Sequence, residues 1–165
     1  MAINLNIYGF KVILFKMWRA EVKNMEKKTL LIIGLIGGII AAISVFLAWI
    51  TGSAGGFSVS MSGWDLLRAS ISDVPYVAVV LVGGILALLG GLGMWATKMK
   101  AVGYLLPIGG ILALVGGIWG FAKVTEAIGA TGIPAGVSVS VGYGIYLGIV
   151  GGVLALVSSL GLKGK

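Results

Sequence analysis

Gly109-Gly110-Ile111-Leu112-Ala113 is one of four copies of a short phrase that recurs along the chain. The other copies are Gly37-Gly38-Ile39-Ile40-Ala41, Gly83-Gly84-Ile85-Leu86-Ala87 and Gly151-Gly152-Val153-Leu154-Ala155. The second and fourth copies belong to a longer match, with eight identities in twelve positions between residues 82–93 and 150–161. The repeat predicts a helical hairpin that has been doubled.

Each copy lies in a stretch without Asp, Glu, Lys or Arg. These stretches are residues 30–50, 76–96, 102–122 and 143–162. A helix of about 20 residues crosses a hydrocarbon core of about 30 Å. The composition agrees, because 59% of the 165 residues are apolar, 10% are charged and the mean hydropathy is +1.12. We therefore predict an all-α membrane protein with a bundle of four transmembrane helices, and we exclude a water-soluble fold.

Small residues recur at every fourth position of each predicted helix, so they share one helix face. Such a face lets neighbouring helix backbones approach closely. We predict that these faces pack within the bundle, and contact with another copy of the chain is the alternative. The packing residues are Gly34, Gly38, Gly83, Ala87, Gly91, Gly109, Ala113, Gly117, Gly151 and Ala155.

The cations are distributed unevenly between the two sides of the predicted bundle. Ten of the twelve precede the first span, separate the second from the third or follow the fourth, and only Arg68 and Lys123 lie in the other two connections. The positive-inside rule then places both termini in the cytoplasm of a multi-pass cell-membrane protein. The net charge of +7 is a topology signal and not a sign of nucleic-acid binding. Aromatic residues at the predicted outer boundary agree: Trp49, Trp64, Tyr76 and Tyr143.

The first 24 residues differ from the rest because they contain all three Asn of the chain. Apolar and basic side chains alternate irregularly there, which is compatible with a helix lying in the cytoplasmic interface. Met25 followed by Glu26 also resembles a natural start of a membrane protein, so residues 1–24 could instead be an upstream extension. Both interpretations stay open.

The predicted outer segments, residues 51–75 and 123–142, each contain a run in which apolar and small polar residues alternate. This period of two is typical of a half-buried strand. We predict that the two strands pair into a small two-stranded β element that caps the bundle, with the apolar side chains facing the helices. Together with Trp64, these side chains form the predicted interaction surface: Phe57, Val59, Met61, Val137, Val139 and Val141.

A short helix is predicted between the first strand and the second span. Trp64, Leu67 and Ile71 recur there at helical spacing. We expect this helix to lie on the outer interface with Asp65 and Arg68 in i, i+3 contact.

With Trp49 and the later pair Gly63-Trp64, the chain resembles the claudin-like tetraspan proteins. Those proteins have four spans, cytoplasmic termini, a first outer segment made of strands, and a Trp followed by Gly-Leu-Trp and two Cys. Here the Leu and both Cys are missing. The resemblance covers the topology of residues 25–165 and implies a structural or adhesive role through the outer β element.

Residues suited to catalysis are scarce, since the chain has no Cys, no His and only five acidic residues. We expect no enzyme, cofactor, metal site or small-molecule substrate. The predicted spans also lack the carboxylate on which ion-coupled transporters depend. We predict a non-enzymatic integral membrane protein that contacts the lipid bilayer and either another protein or itself. The alternatives are an accessory subunit of a larger membrane complex and a pore-forming or uncoupled export oligomer.

Overall fold

The structure is a computed structural model that describes residues 16, 27–69, 74–97, 102–130, 132 and 136–163. Residues 1–24, for which two interpretations stay open, lie almost wholly outside this range. Ile71 of the predicted short helix also lies outside it. Within the described residues there are four long helices: α1 (Lys27–Ser44), α3 (Pro75–Thr97), α4 (Leu105–Ala130, after a 3₁₀ turn at Val102–Tyr104) and α5 (Tyr143–Lys163). The shorter elements are β1 (Ala48–Ala54), β2 (Phe57–Ser62), α2 (Gly63–Ala69) and β3 (Val137–Val141).

The four long helices confirm the predicted bundle, and each is long and apolar enough to span a membrane. They form a ring in which α1 packs against α3 and α5, and α4 packs against the same two neighbours. Apolar side chains also cover the outward faces, as on α1, where Ile32, Ile36, Ile39 and Ile43 are exposed.

The two glycines of each repeated phrase pack against two different neighbouring helices. Consecutive residues of an α-helix are rotated by about 100°, and the two neighbours of a helix in a four-membered ring lie at nearly that angle. On α1, a Cβ at Gly37 would lie 2.7 Å from the Gly151 carbonyl oxygen of α5. A Cβ at Gly38 would lie 2.9 Å from the Leu88 amide nitrogen of α3. A doublet therefore brings a helix close to both neighbours.

The same arrangement recurs in the other half of the ring. A Cβ at Gly83 would lie 2.5 Å from the Ala113 amide nitrogen, and one at Gly152 would lie 2.6 Å from that of Leu114. The alanine of every phrase is also buried, as are all ten residues predicted for helix packing. The doubled hairpin is thus visible in the packing: first glycines join α1 to α5 and α3 to α4, whereas second glycines join the remaining pairs.

The first helix ends earlier than the sequence predicted, at Ser44 instead of residue 50. The following chain satisfies the carbonyl groups at its end, because the indole of Trp49 donates to Ser44 O at 2.8 Å and the Trp64 amide donates to Val45 O at 2.8 Å. An apolar run alone does not separate a helix from a buried strand. Residues 48–50 accordingly begin β1.

The strand pairing differs from the prediction, since the described part of the chain forms a sheet of three strands in the order β2-β1-β3. β2 and β3 do not pair with each other, because β1 lies between them and is antiparallel to both. All three strands lie at one end of the bundle, where α1 and α4 end and α3 and α5 begin. Helix α4 extends to Ala130, beyond its predicted limit at residue 122, and an exposed Lys123–Glu126 ion pair of 2.7 Å lies on this extension.

Candidate interaction surface

A tight turn sets the register of the sheet. Gly55 and Gly56 connect β1 to β2 with φ angles of 55° and 86°. Two residues with positive φ form the type I′ turn, whose twist matches that of an antiparallel hairpin and which most side chains disfavour. The turn places Ala54 opposite Phe57, and the register then continues along both strands.

The register separates the sheet into two chemically different faces. Directly opposed residues point to the same side of a sheet, so the pairing puts apolar residues in rows on one side and hydroxyl groups in rows on the other. The apolar face consists of Ile50, Gly52, Ala54, Phe57, Val59, Met61, Val137, Val139 and Val141. The hydroxyl face consists of Thr51, Ser53, Ser58, Ser60, Ser138 and Ser140.

Hydrogen bonds between side chains join β1 to β3 on the hydroxyl face. The Ser53 and Ser138 hydroxyl oxygens are 2.7 Å apart, and those of Thr51 and Ser140 are 2.8 Å apart. These contacts link residues that are far apart in sequence. They therefore hold the two halves of the repeat together outside the helices.

The apolar face is covered only at its base. Ile50 and Val141 pack against the core of the bundle, but exposure rises along β2 from 39% at Met61 through 68% at Val59 to 81% at Phe57. The prediction that the apolar side chains of this strand face the helices is therefore wrong for Phe57 and Val59. The alternation identified which residues share a face, but the strand extends away from the helices that would have covered it. The three valines of β3 are half-buried.

Trp49 joins the sheet to the bundle and is fully buried. Its ring stacks on Tyr76, with centroids 6.0 Å apart, and a Cβ at Gly120 or Gly144 would lie 2.8 Å from it. A β-bulge at this position of β1 accompanies its inward orientation. The sequence placed Trp49 at the outer boundary as an interfacial aromatic residue, and its role as a buried anchor was missed.

Helix α2 begins with a capping box. The Ser62 amide and hydroxyl donate to Asp65 Oδ2 at 3.0 Å and 2.6 Å, and the Asp65 amide donates to Ser62 Oγ at 3.1 Å. The hydroxyl bond from Ser62, followed by the amide bond, lowers the pKa of the Asp65 carboxyl below its ordinary value of 3.8. Asp65 thus binds the last residue of β2 and caps the N-terminus of α2.

Arg68 does not form the predicted close pair with Asp65. Its guanidinium carbon lies 5.6 Å from the ring centroid of Trp64, which gives a cation–π contact. The ring of Trp64 also contacts Phe46, with ring centroids 5.6 Å apart. Trp64 therefore belongs to a partly exposed aromatic cluster beside the base of the sheet. Of the residues predicted for the interaction surface, Trp64 thus lies beside the strands and not on them.

Asp and Glu side chains are not grouped in threes or more anywhere in the part of the chain that the structure describes. No protein-family model matches the chain, and a search of curated proteins found no similar sequence. The resemblance to claudin-like proteins stays a prediction. The surface itself is defined by the apolar face of a sheet that a buried Trp anchors to a helical bundle.

Proposed function

We propose that this chain is a multi-pass cell-membrane protein whose bundle holds the three-stranded sheet outside the membrane for contact with a protein. Four apolar helices and exposed isoleucines on their outward faces support the membrane location. The cation asymmetry supports cytoplasmic termini, which puts the sheet on the opposite side.

One observation carries the interaction role. Phe57 and Val59 are 81% and 68% exposed on a strand whose register with β1 is set by a tight turn, and hydroxyl pairs in turn join β1 to β3. Exposed apolar patches mark contact sites, and an ordered patch loses little conformational entropy when a partner covers it. The exposed apolar residues of β2 are therefore already ordered for contact with a partner.

The bundle has the properties of a rigid base. Backbone atoms of adjacent helices approach so closely at Gly37 and Gly83 that a single Cβ would overlap them. The described buried side-chain nitrogen and oxygen atoms all have hydrogen-bond partners, including Ser158, which donates to Leu30 O of α1 at 2.5 Å. Packing this close favours a structural base over a pore lined by the four helices.

Photo-crosslinking in native membranes tests this function. A photoreactive phenylalanine analogue at Phe57 probes the apolar face, and the same analogue at Tyr146, which is exposed on α5, is the matched control for random collision. We expect protein adducts from position 57 and markedly fewer from position 146. Equal adduct formation at the two positions would overturn the proposal.

A further inference from the structure

Helices α1 and α3 diverge toward the end of the bundle that is opposite the sheet. Nearer the sheet, a Cβ at Gly84 would lie 2.6 Å from the Ala42 amide nitrogen. About two turns further along α3, a Cβ at Gly91 would lie 3.8 Å from the Leu35 amide nitrogen. The side chain of Leu35 fills the space there, since its Cδ2 would lie 2.8 Å from the same Cβ. The two backbones are therefore in contact near the sheet and separate beyond Leu35.

Each of these helices stays close to its other neighbour at this end. On α1, the Ser158 hydroxyl of α5 donates to Leu30 O at 2.5 Å. On α3, a Cβ at Gly90 would overlap the Leu106 amide nitrogen of α4. Both helices are therefore fixed by their other neighbours, and a groove opens between them.

The groove has a volume of about 480 Å³, which lies within the range of about 300–1,000 Å³ typical of ligand sites. Two of the residues that line it, Ile32 and Trp95, are exposed, so the groove opens outward from the bundle. One cation and four apolar residues form the lining: Lys28, Leu31, Ile32, Met94 and Trp95.

The predicted boundary of the membrane passes through this groove. The charge-free stretch of α1 starts at residue 30, and that of α3 ends at residue 96. Lys28 therefore lies just outside the boundary, whereas Leu31 and Ile32 lie inside it. Trp95 lies at the boundary itself, where an amphipathic ring is favoured. A matching ligand has a polar group at the boundary and an apolar chain inside the membrane.

The charges around the rim of the groove favour an anion. Neither α1 nor α3 contains Asp or Glu, and Lys28 forms no ion pair with any residue that the structure describes. In the sequence, Lys27 precedes Lys28, and Lys98 and Lys100 follow α3, against the single nearby acid Glu26. Basic pockets between transmembrane helices on the cytoplasmic side bind anionic lipid headgroups.

We propose that the groove binds one glycerophospholipid with an anionic headgroup. The phosphate lies near Lys28, and an acyl chain lies against Leu31, Ile32 and Met94. A phospholipid is favoured over other anions because the groove opens toward the bilayer, and because free phosphate would leave the apolar lining uncovered. The inference rests on the membrane location and orientation in the proposed function, and it adds a lipid to the protein contact proposed for the sheet.

Native mass spectrometry of the full chain tests the headgroup preference. The protein in mild detergent is given equal amounts of phosphatidylglycerol and phosphatidylcholine with the same acyl chains. We expect the parent to bind phosphatidylglycerol preferentially and Lys28→Gln to lose about fivefold of this preference, since one Lys near an anionic headgroup contributes about that much. The matched control is Lys27→Gln, which removes the same charge from a residue outside the groove lining and should keep the preference.

A second pair of variants tests the site of the acyl chain. Ile32→Trp puts a bulky ring into the groove, so we expect severalfold weaker binding of both lipids. The matched control is Ile36→Trp, because Ile36 is 46% exposed, against 45% for Ile32, and does not line the groove. This control should bind both lipids as the parent does. Thermal unfolding of each variant checks that its fold is intact.

Equal loss of preference in Lys27→Gln and Lys28→Gln would indicate general attraction to a basic surface and would overturn the inference. Binding of neither lipid by the parent, or unchanged binding by Ile32→Trp, would contradict it as well and would leave the groove to another occupant. The proposed function fails separately. Protein adducts at Phe57 without a lipid preference would leave the function standing, and a lipid preference without adducts would leave the lipid site standing.

Discussion

Glycine has opposite physical roles in the bundle and in the sheet. In the bundle, Gly109 lies so close to Gly83 and Ala87 of α3 that a Cβ would overlap their backbone atoms. In the sheet, the nearest heavy atom to a Cβ at Gly52 is the Ser138 carbonyl oxygen, 3.8 Å away. Close packing thus makes the bundle intolerant of added atoms, whereas the sheet has open space on its apolar face. This difference in packing separates the bundle from the proposed contact surface.

The largest effect is expected from Gly109→Ala. The new methyl group forces α3 and α4 apart at backbone atoms, so we expect a loss of about 3 kcal/mol of stability, at the upper end of overpacking costs. Thermal unfolding in detergent measures this loss. The matched control is Gly129→Ala on the same helix, where no heavy atom lies within 4 Å of the added group. A destabilised control, or an unaffected Gly109→Ala, would show that close approach is not the reason.

A smaller effect of opposite sign is expected from Gly52→Val. The valine fills the gap between Val59 and Val139 in the apolar row and replaces a residue that disfavours strands. We expect stabilisation of up to about 1 kcal/mol, within the range of strand preferences. The same thermal assay tests it. Clear destabilisation would contradict the claim that the apolar face has open space at Gly52.

The smallest effect is expected at the boundary between the two regions, from Asp65→Asn. Because folding lowers the pKa of Asp65, its stabilisation is complete above its ordinary pKa of 3.8 and is lost as the pH falls through the folded value. The variant should therefore be less stable than the parent near pH 7, and the difference should narrow progressively below pH 3.8. Melting temperatures of both proteins across this range measure it. A difference independent of pH would contradict the capping role of the carboxylate.

The helices could be predicted from the sequence because charge-free stretches of spanning length are a strong signal. The end of α1 could not, because Val45 to Ile50 continue the apolar run while the chain turns into β1. The strand order was missed for the same reason, since β1 lacks the alternation that revealed β2 and β3. The prediction that small residues at every fourth position share one packing face also described only part of the packing. Gly37 and Gly38 are consecutive and contact different helices, so each helix has two such faces.

The exposure of Phe57 could not be predicted either. An alternating pattern identifies the residues that share a face, and what covers that face depends on where the strand lies relative to the bundle. The burial of Trp49 could not be predicted, because its ring packs against three glycines from other parts of the sequence: Gly63, Gly120 and Gly144.

Labelling of single cysteines with a membrane-impermeant maleimide tests most directly whether a membrane separates the sheet from the termini. Three variants suffice: Ser58→Cys on the sheet, Ile36→Cys on the outward face of α1 and Lys28→Cys at the far end of the bundle. In intact cells we expect labelling of Ser58→Cys alone. Lys28→Cys should react only after permeabilisation, and Ile36→Cys only after denaturation. Reaction of positions 58 and 28 from the same side, or of position 36 in intact cells, would contradict the account.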